Sequence, residues 1–267
     1  MNKERLDVLL TSNGYFESRQ KAQAEIMAGN ILVNNQKISK PGTTVDSASL
    51  ITILKKDFPY VSRGALKLMK AFDQFNINVD SNLCLDIGAS TGGFTEILLL
   101  KGAKKVYAID VGHNQLDWKL RNDERVISKE KTNGRYLTTL DLEDNLMDTI
   151  VTDVSFISLE KILPAAFSCL KNNGEMVALI KPQFEAGHGE VNKKGVVTNT
   201  TTHLKVIKKI IDFSLDLGFS VKGLEKSPIK GPKGNIEFLI FLVKEDKPTV
   251  DNVLTDKYII EKIKEEQ

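Results

Sequence analysis

Residues 86–94 have the sequence D-I-G-A-S-T-G-G-F and overlap the end of the apolar segment Leu83–Asp86. A short apolar segment bounded by turn residues predicts a buried β-strand. The glycines that follow predict a tight turn, because glycine adopts backbone conformations that other residues avoid. We expect a helix at Thr95–Leu100, ended near Gly102. The N–H groups at the start of a helix are free, so this turn is a candidate ligand site.

Apolar segments that end in a charged residue recur along the chain, at Val106–Asp110, Thr149–Asp153 and Val177–Lys181. A helix with an apolar stripe is predicted at His203–Leu217, and two last strands are predicted at Phe219–Leu224 and Ile236–Val243. Alternating strands and helices predict an α/β fold with a doubly wound, mostly parallel sheet. In such a fold the chemistry lies at the carboxyl edge of the sheet, where the charged strand ends meet.

The sequence divides into a small N-terminal module and a larger domain. Residues 1–55 predict two short helices and short strands, which is too little for a strong core of its own. The expected divisions are residues 1–55 for the module, 56–60 for a linker, 61–245 for the α/β domain, and 246–267 for a C-terminal tail or helix.

The composition is that of an ordinary globular protein, with 41% hydrophobic and 27% charged residues among 267. The formal net charge is only +2. Any surface for nucleic acid must therefore come from local clusters of basic residues.

Metal, membrane and disulfide chemistry are not expected. Cys84 and Cys169 fit neither a disulfide framework nor a zinc site, and the three histidines lack the spacing of metal ligands. The N-terminus has no signal-peptide-like apolar stretch, and no apolar run is long enough to cross a bilayer. We expect a cytoplasmic protein without a metal, without membrane insertion and without an obligatory protein partner.

The glycine turn differs from a dinucleotide site. It lacks the G-x-G-x-x-G spacing that holds a pyrophosphate, and the acid at Asp86 repels phosphate but suits a cation. S-adenosylmethionine carries a sulfonium and an ammonium, and Asp110 can accept hydrogen bonds from ribose hydroxyls. A tight turn without a ligand is the alternative. The residues expected to contact the cofactor are Asp86, Gly88, Ala89, Ser90, Gly92, Gly93, Phe94, Asp110 and Asp153.

Four ionisable residues are candidates for catalysis, namely Lys67, Asp153, Lys181 and Glu237. A single charged residue at a strand end is usually just exposed to solvent. Two lysines and two acids at the same edge of the sheet instead indicate that they act together in one site. A hydroxyl that attacks a sulfonium methyl must lose its proton or have its developing charge stabilised. Lys181 is therefore either a general base or an electrostatic steering group.

Several motifs together resemble the TlyA (hemolysin A) family, which has an FtsJ-like methyltransferase domain. The motifs are S-R-G-A-L-K-L at 62–68, the turn at 86–94, V-S-F-I-S at 154–158, K-P-Q-F-E at 181–185 and G-P-K-G-N-I-E at 231–237. The resemblance implies a Rossmann-like, S-adenosylmethionine-dependent domain with a seven-stranded sheet and an N-terminal α+β S4 RNA-binding domain. It also implies a lysine–aspartate–lysine–glutamate catalytic set at the four positions above, and 2′-O-methylation of cytidines in 16S or 23S ribosomal RNA.

Basic residues in both parts are candidates for contact with ribosomal RNA or ribosomal subunits. Lys222, Lys226, Lys230 and Lys233 lie along the segment that leads to Glu237, beside the expected active site. A solvated face is the competing interpretation, and we interpret Trp118 and Phe156 as packing residues and the histidines as surface or loop residues. The residues expected to bind RNA are Arg5, Arg19, Lys21, Lys37, Arg63, Lys230 and Lys233.

Three other functions compete with RNA methylation. A nicotinamide oxidoreductase would share the fold class but should bind NAD instead of S-adenosylmethionine. A hemolysin, as the family label suggests, should lyse protein-free liposomes. A non-catalytic RNA-binding or ribosome-assembly factor would explain the basic residues without any chemistry.

Overall fold

The computed structural model describes residues 3–27, 29–54, 59–187 and 189–265. Residues 56–58 of the expected linker, His188 and the last two residues of the C-terminal segment lie outside this part. The chain divides into two compact units, residues 1–59 and 60–267.

The first unit is a small α+β module. Its elements are β1 (Lys3–Arg5), α1 (Leu6–Ser12), α2 (Arg19–Met27), β2 (Ile31–Val33), β3 (Gln36–Lys37), β4 (Thr44–Asp46) and β5 (Ile51–Ile53). β1 pairs with β4, and β2 lies between β3 and β5, all antiparallel. Leu6 and Leu10 of α1, Ile26 of α2 and Ile31 of β2 form its buried core.

The second unit is built on one seven-stranded sheet. Its strands are β6 (Leu83–Ile87), β7 (Lys105–Ile109), β8 (Val126–Lys129), β9 (Met147–Thr152), β10 (Leu170–Ile180), β11 (Phe219–Lys226) and β12 (Phe238–Lys244). Its helices are α3 (Ala65–Gln74), α4 (Gly93–Leu100), α5 (Trp118–Arg121), α6 (Leu163–Cys169), α7 (Pro182–Glu185), α8 (Thr200–Leu217) and α9 (Asp256–Lys264).

The strand order is β11-β12-β10-β9-β6-β7-β8. The five strands from β10 to β8 are parallel, and β12 is antiparallel to both of its neighbours. The predicted doubly wound, mostly parallel sheet is therefore confirmed. The sequence did not reveal β8 or α5, which are short.

The register explains why distant residues meet at one edge. β6, β7, β9 and β10 all end there, and β12 begins there because it runs the other way, so that Ile180 pairs with Phe238. Glu237 directly precedes β12 instead of lying inside it as we expected. Lys181, one residue beyond β10, is consequently its neighbour across the sheet.

The C-terminal segment contains α9, which packs onto this unit through the buried side chains of Ile259 and Ile263. Lys226 is also buried and donates a hydrogen bond to the carbonyl of Ile263 at 3.1 Å. It therefore caps the end of a helix, where a cation is favoured, and is not part of an RNA surface.

Candidate active site

The four candidate catalytic side chains meet at the carboxyl edge of the sheet. The Nζ of Lys67 donates to Asp153 Oδ2 at 3.1 Å and to Glu237 Oε2 at 2.8 Å. The Nζ of Lys181 forms an ion pair with Asp153 Oδ1 at 2.6 Å. Both lysines are only 7% exposed and Glu237 is 1% exposed. Removing one member would leave a buried charge uncompensated, so the network acts as a unit.

Two neutral side chains extend this network beyond the residues that the sequence indicated. Ser155 Oγ accepts a hydrogen bond from Lys181 Nζ at 2.8 Å. Gln183 Nε2 donates to Glu237 Oε1 at 3.1 Å. Ser155 lies in the V-S-F-I-S motif and Gln183 in the K-P-Q-F-E motif. A motif alone does not predict which of its side chains point into the site.

The two lysines are in different electrostatic environments. Burial lowers the pKa of Lys67, but the nearby carboxylates of Asp153 and Glu237 outweigh it, and the pKa lies above its usual value. Lys67 therefore remains an ammonium at neutral pH and holds the two carboxylates in place. Lys181 contacts only one carboxylate and one hydroxyl. Because it is not shared between two carboxylates as Lys67 is, Lys181 is the better candidate to contact a substrate hydroxyl.

Neighbouring side chains leave no room for a Cβ atom at two positions of the glycine turn. Gly92 has a φ of +95°, and a Cβ there would collide with Leu120. A Cβ on Gly93, which begins α4, would collide with Ser62 in the segment before α3. The turn therefore needs glycine at both positions, and α4 begins close to the S-R-G segment.

Asp86 is completely buried beneath this turn. Its Oδ2 accepts hydrogen bonds from the backbone N–H of Thr95 at 2.9 Å and from the Thr95 hydroxyl at 2.7 Å. Its Oδ1 has no hydrogen-bond partner among the described residues. Burial, reinforced by the charges of Asp153 and Asp110, raises the pKa of Asp86 to about 7. An unsatisfied buried carboxylate oxygen among acids suits a cationic ligand.

Asp110 borders a small pocket at the ends of β6, β7 and β8. Its two oxygens accept from the backbone N–H groups of Ser90 at 2.8 Å and Gly112 at 2.6 Å, which fixes the carboxylate. The pocket is lined by Ala89, Ser90, Ala108, Asp110, Gln115, Leu116, Ser128 and Glu130. Ala108 and the last four of these residues were not predicted as cofactor contacts, and Ser128 and Glu130 lie at the end of β8, which the sequence did not reveal.

The loop after Asp153 presents an aromatic ring to solvent. Phe156 is 90% exposed and has a φ of +63°, which is rare for a bulky residue. Its ring packs against Phe184, with 5.0 Å between centroids. Glu185 fixes the loop by accepting from Ser158 Oγ at 2.6 Å and Leu159 N at 2.7 Å. Our interpretation of Phe156 as a packing residue is wrong, because the ring is held outward.

Other expectations for single side chains also need correction. Trp118 is 64% exposed, so it is not a packing residue either. His203 is buried and contacts the ring of Phe238 edge-on at 5.8 Å, so it is not a surface residue. Lys222 pairs with Glu245 at 2.9 Å, which removes it from the expected RNA surface.

Two of the four expected RNA-binding residues of the first unit, Arg5 and Arg19, contact a buried acid. Asp7 Oδ2 lies 3.0 Å from Arg5 Nη2 and 2.9 Å from Arg19 Nε, and both arginines remain half-exposed. Lys21 pairs with Glu17, and Lys37 is exposed. In the second unit the three expected residues, Arg63, Lys230 and Lys233, are exposed.

The sequence of this chain matches two described families. The FtsJ-like methyltransferase family matches residues 60–244. The S4 domain matches residues 4–51. The matches correspond to the second and first units, and together they cover most of the chain.

Individual relatives match along most of their length. The chain is 47% identical over 239 residues to Hemolysin A of Brachyspira hyodysenteriae, covering 90% of this chain and 99% of the relative. It is 42% identical over 239 residues to the 16S/23S rRNA (cytidine-2′-O)-methyltransferase TlyA of Mycobacterium tuberculosis, covering 89% of each. A solved structure from Streptococcus thermophilus that carries a hemolysin name superposes with a TM-score of 0.75 at 47% identity, covering 98% and 95% of the two chains.

Proposed function

This chain belongs to the FtsJ-like methyltransferase family, and we propose that it methylates a ribose 2′-hydroxyl of ribosomal RNA with S-adenosylmethionine as cofactor. The observation that carries the proposal is the buried network of two lysines and two acids beside an acid-lined glycine turn. The network supplies groups for a hydroxyl nucleophile, and the turn supplies a place for a cation.

The residues around the turn fit the cofactor. The unpartnered Oδ1 of Asp86 and the fixed carboxylate of Asp110 would hold its cationic and hydroxyl groups. When bound, S-adenosylmethionine supplies an electrophilic methyl group on a sulfonium sulfur. The acids also disfavour the pyrophosphate of a nicotinamide dinucleotide, which argues against the oxidoreductase alternative.

We infer separate tasks for the members of the network. Lys67 remains charged and orients Asp153 and Glu237. Asp153 and Ser155 in turn orient the Lys181 side chain. As a neutral amine, Lys181 would accept the 2′-hydroxyl proton; as an ammonium, it would stabilise the developing oxyanion. Positioning of the two reactants contributes to the rate as well.

Phe156 offers a surface for a base. Sequence-specific RNA recognition commonly stacks an unpaired base on an exposed aromatic ring. The ring lies three residues from Asp153 and is backed by Phe184, which supports a role in holding the target nucleotide near Lys181.

The substrate assignment rests on the relatives' names and on the S4 domain. A relative that is 42% identical is named for cytidine-2′-O methylation of 16S and 23S ribosomal RNA. We extend this substrate class to the present chain, with ribosomal subunits as its partners in the cytoplasm. The first unit, through Arg5, Arg19 and Lys37, supplies additional affinity for RNA.

The hemolysin name of some relatives supports a second candidate, the lysis of membranes. Among the described residues, no helix is both long and apolar enough to cross a bilayer. Lysis of protein-free liposomes by the pure protein would support this candidate.

The test is to map 2′-O-methyl groups in ribosomal RNA from cells with and without this protein. We expect at least one cytidine to lose its 2′-O-methyl group in its absence. The group should return with the wild-type chain but not with Lys181→Ala. An unchanged methylation map would refute the proposal, and restoration by Lys181→Ala would refute the assigned role of this lysine.

A further inference from the structure

Two tight turns lie next to the catalytic network, and each presents lysines. In the first, residues 192–196, Asn192 Oδ1 accepts from the backbone N–H groups of Lys194 at 2.9 Å and Val196 at 3.0 Å. A backbone bond from Asn192 N to Val196 O at 3.0 Å closes it. The turn is therefore rigid, with Lys193 and Lys194 at its tip.

The second turn, residues 231–235, leads directly to Glu237. Gly231 N donates to Asn235 O at 2.9 Å, and Gly234 N donates to Gly231 O at 2.8 Å. A Cβ on Gly231 would lie 2.7 Å from Glu237 Oε1, so this turn packs against the catalytic carboxylate. Lys233 is at its tip.

The buried side chain of Asn235 ties the two turns together. Its Oδ1 accepts from Val197 N at 3.0 Å, and its Nδ2 donates to Gly195 O at 2.9 Å. Both polar groups of the amide are thus used to join the turns. The tips of the two turns consequently form one fixed surface beside Glu237.

We define this lysine surface as Lys193, Lys194, Lys230 and Lys233, all of which are exposed. In the described part of the chain, none of the four forms an ion pair with a carboxylate. By contrast, the α8 lysines Lys205, Lys208 and Lys209 are each paired with an acid. The lysine surface therefore carries uncompensated positive charge in a preorganised arrangement.

We propose that the lysine surface binds the phosphates of the RNA strand that flank the target nucleotide. The inference rests on the proposed function, because a 2′-hydroxyl at Lys181 brings its neighbouring phosphates to the same edge of the sheet. Lysines positioned in this way contribute affinity and register but no base readout. Each phosphate contact also releases counterions, so its loss has a measurable salt signature.

The test compares two double charge reversals, Lys193→Glu/Lys194→Glu and Lys230→Glu/Lys233→Glu, with a matched control, Lys247→Glu/Lys257→Glu. The control lysines are also exposed, without an ion pair among the described residues, and carry the same change of charge. Single-turnover methylation is measured against RNA concentration at several salt concentrations with saturating cofactor.

We expect each test variant to raise the RNA concentration for half-maximal rate by about tenfold or more and to reduce the salt slope by about 2. The rate at saturating RNA and the affinity for S-adenosylmethionine should match the control. A half-maximal concentration and salt slope equal to those of the control in both variants would overturn the proposal.

Direct RNA binding separates this proposal from the proposed function. If the wild-type chain fails to methylate RNA, the proposed function fails, and filter binding to the same RNA still tests the lysine surface. Weaker RNA binding by the two test variants than by the control would support the proposed role of the lysine surface. Unchanged RNA affinity, with lost affinity for polyglutamate, would assign the surface to an acidic protein partner and overturn the proposal.

Discussion

The buried carboxyl of Asp86 should make cofactor binding depend on pH. Burial raises its pKa to about 7, and its Oδ1 lacks a hydrogen-bond partner among the described residues. A cationic ligand at the turn favours the ionised form, so affinity for S-adenosylmethionine should increase as the pH rises through 7. In Asp86→Asn the side chain keeps its volume and can still accept from Thr95, but it no longer titrates.

The expected magnitude follows from the ionised fraction. With a pKa of about 7, about one tenth of Asp86 is ionised at pH 6 and about nine tenths at pH 8. If only the ionised form binds well, the apparent Kd should fall about ninefold over this interval. At pH 8, Asp86→Asn should weaken binding by roughly 10- to 150-fold, the equivalent of a charge-assisted hydrogen bond of about 1.5–3 kcal/mol.

Isothermal titration calorimetry at pH 6, 7 and 8 measures this effect. The cofactor's own amino group also titrates, but it does so equally for both proteins, so the ratio of their Kd values isolates Asp86. A ratio that stays constant from pH 6 to pH 8 would refute the link between Asp86 and the cofactor.

The raised pKa of Asp86 also predicts how the stability of the cofactor-free protein depends on pH. An acid whose folded-state pKa is raised stabilises the fold below its unfolded pKa of ~3.9, and this contribution is lost as the pH rises through about 7. The Tm of Asp86→Asn, relative to wild type, should therefore increase between pH 5 and pH 8.

Two further substitutions test the tasks assigned around the network. Lys181→Ala should reduce the single-turnover rate by about 10²- to 10⁴-fold without changing cofactor affinity. Lys181→Arg should not restore the rate, because a guanidinium does not act as a base, and a rate within about threefold of wild type in Lys181→Ala would refute the assigned role. Phe156→Ala should weaken RNA binding by roughly 5- to 150-fold, as expected for the loss of one stacked base. Phe156→Trp should retain the wild-type affinity for RNA. The control Leu140→Ala, at another exposed apolar residue, should not change this affinity. Equal RNA affinities of Phe156→Ala and Leu140→Ala would exclude stacking on Phe156.

The sequence was sufficient to predict the edge at which the site lies. Parallel strands end together, so charges after buried apolar runs converge whatever the details of packing. This argument placed Asp153 and Lys181 at one edge, which the structure shows. Glu237 was placed with them although we expected it inside the last strand; it lies at this edge because β12 runs antiparallel and begins there, which the sequence did not reveal.

The partners of individual side chains could not be predicted in the same way. The apolar pattern around Phe156 predicts burial, but a positive φ and the anchoring by Glu185 direct the ring outward. Lys226 looks like part of a basic cluster, yet it turns inward because the end of α9 offers carbonyl groups. Such contacts depend on segments distant in sequence, and a local pattern carries no information about them.

The geometry also supports different tasks for the two lysines of the network. Lys67 is shared by two carboxylates, whereas Lys181 contacts one carboxylate and the neutral hydroxyl of Ser155. Loss of a proton from Lys67 would leave the buried Glu237 without a cation, whereas Asp153 would still have Lys181, so a neutral Lys67 is unfavourable. Asp153, by contrast, is contacted by Lys67 as well as by Lys181. The order of the network therefore favours Lys67 as the fixed charge and Lys181 as the group that meets the substrate oxygen.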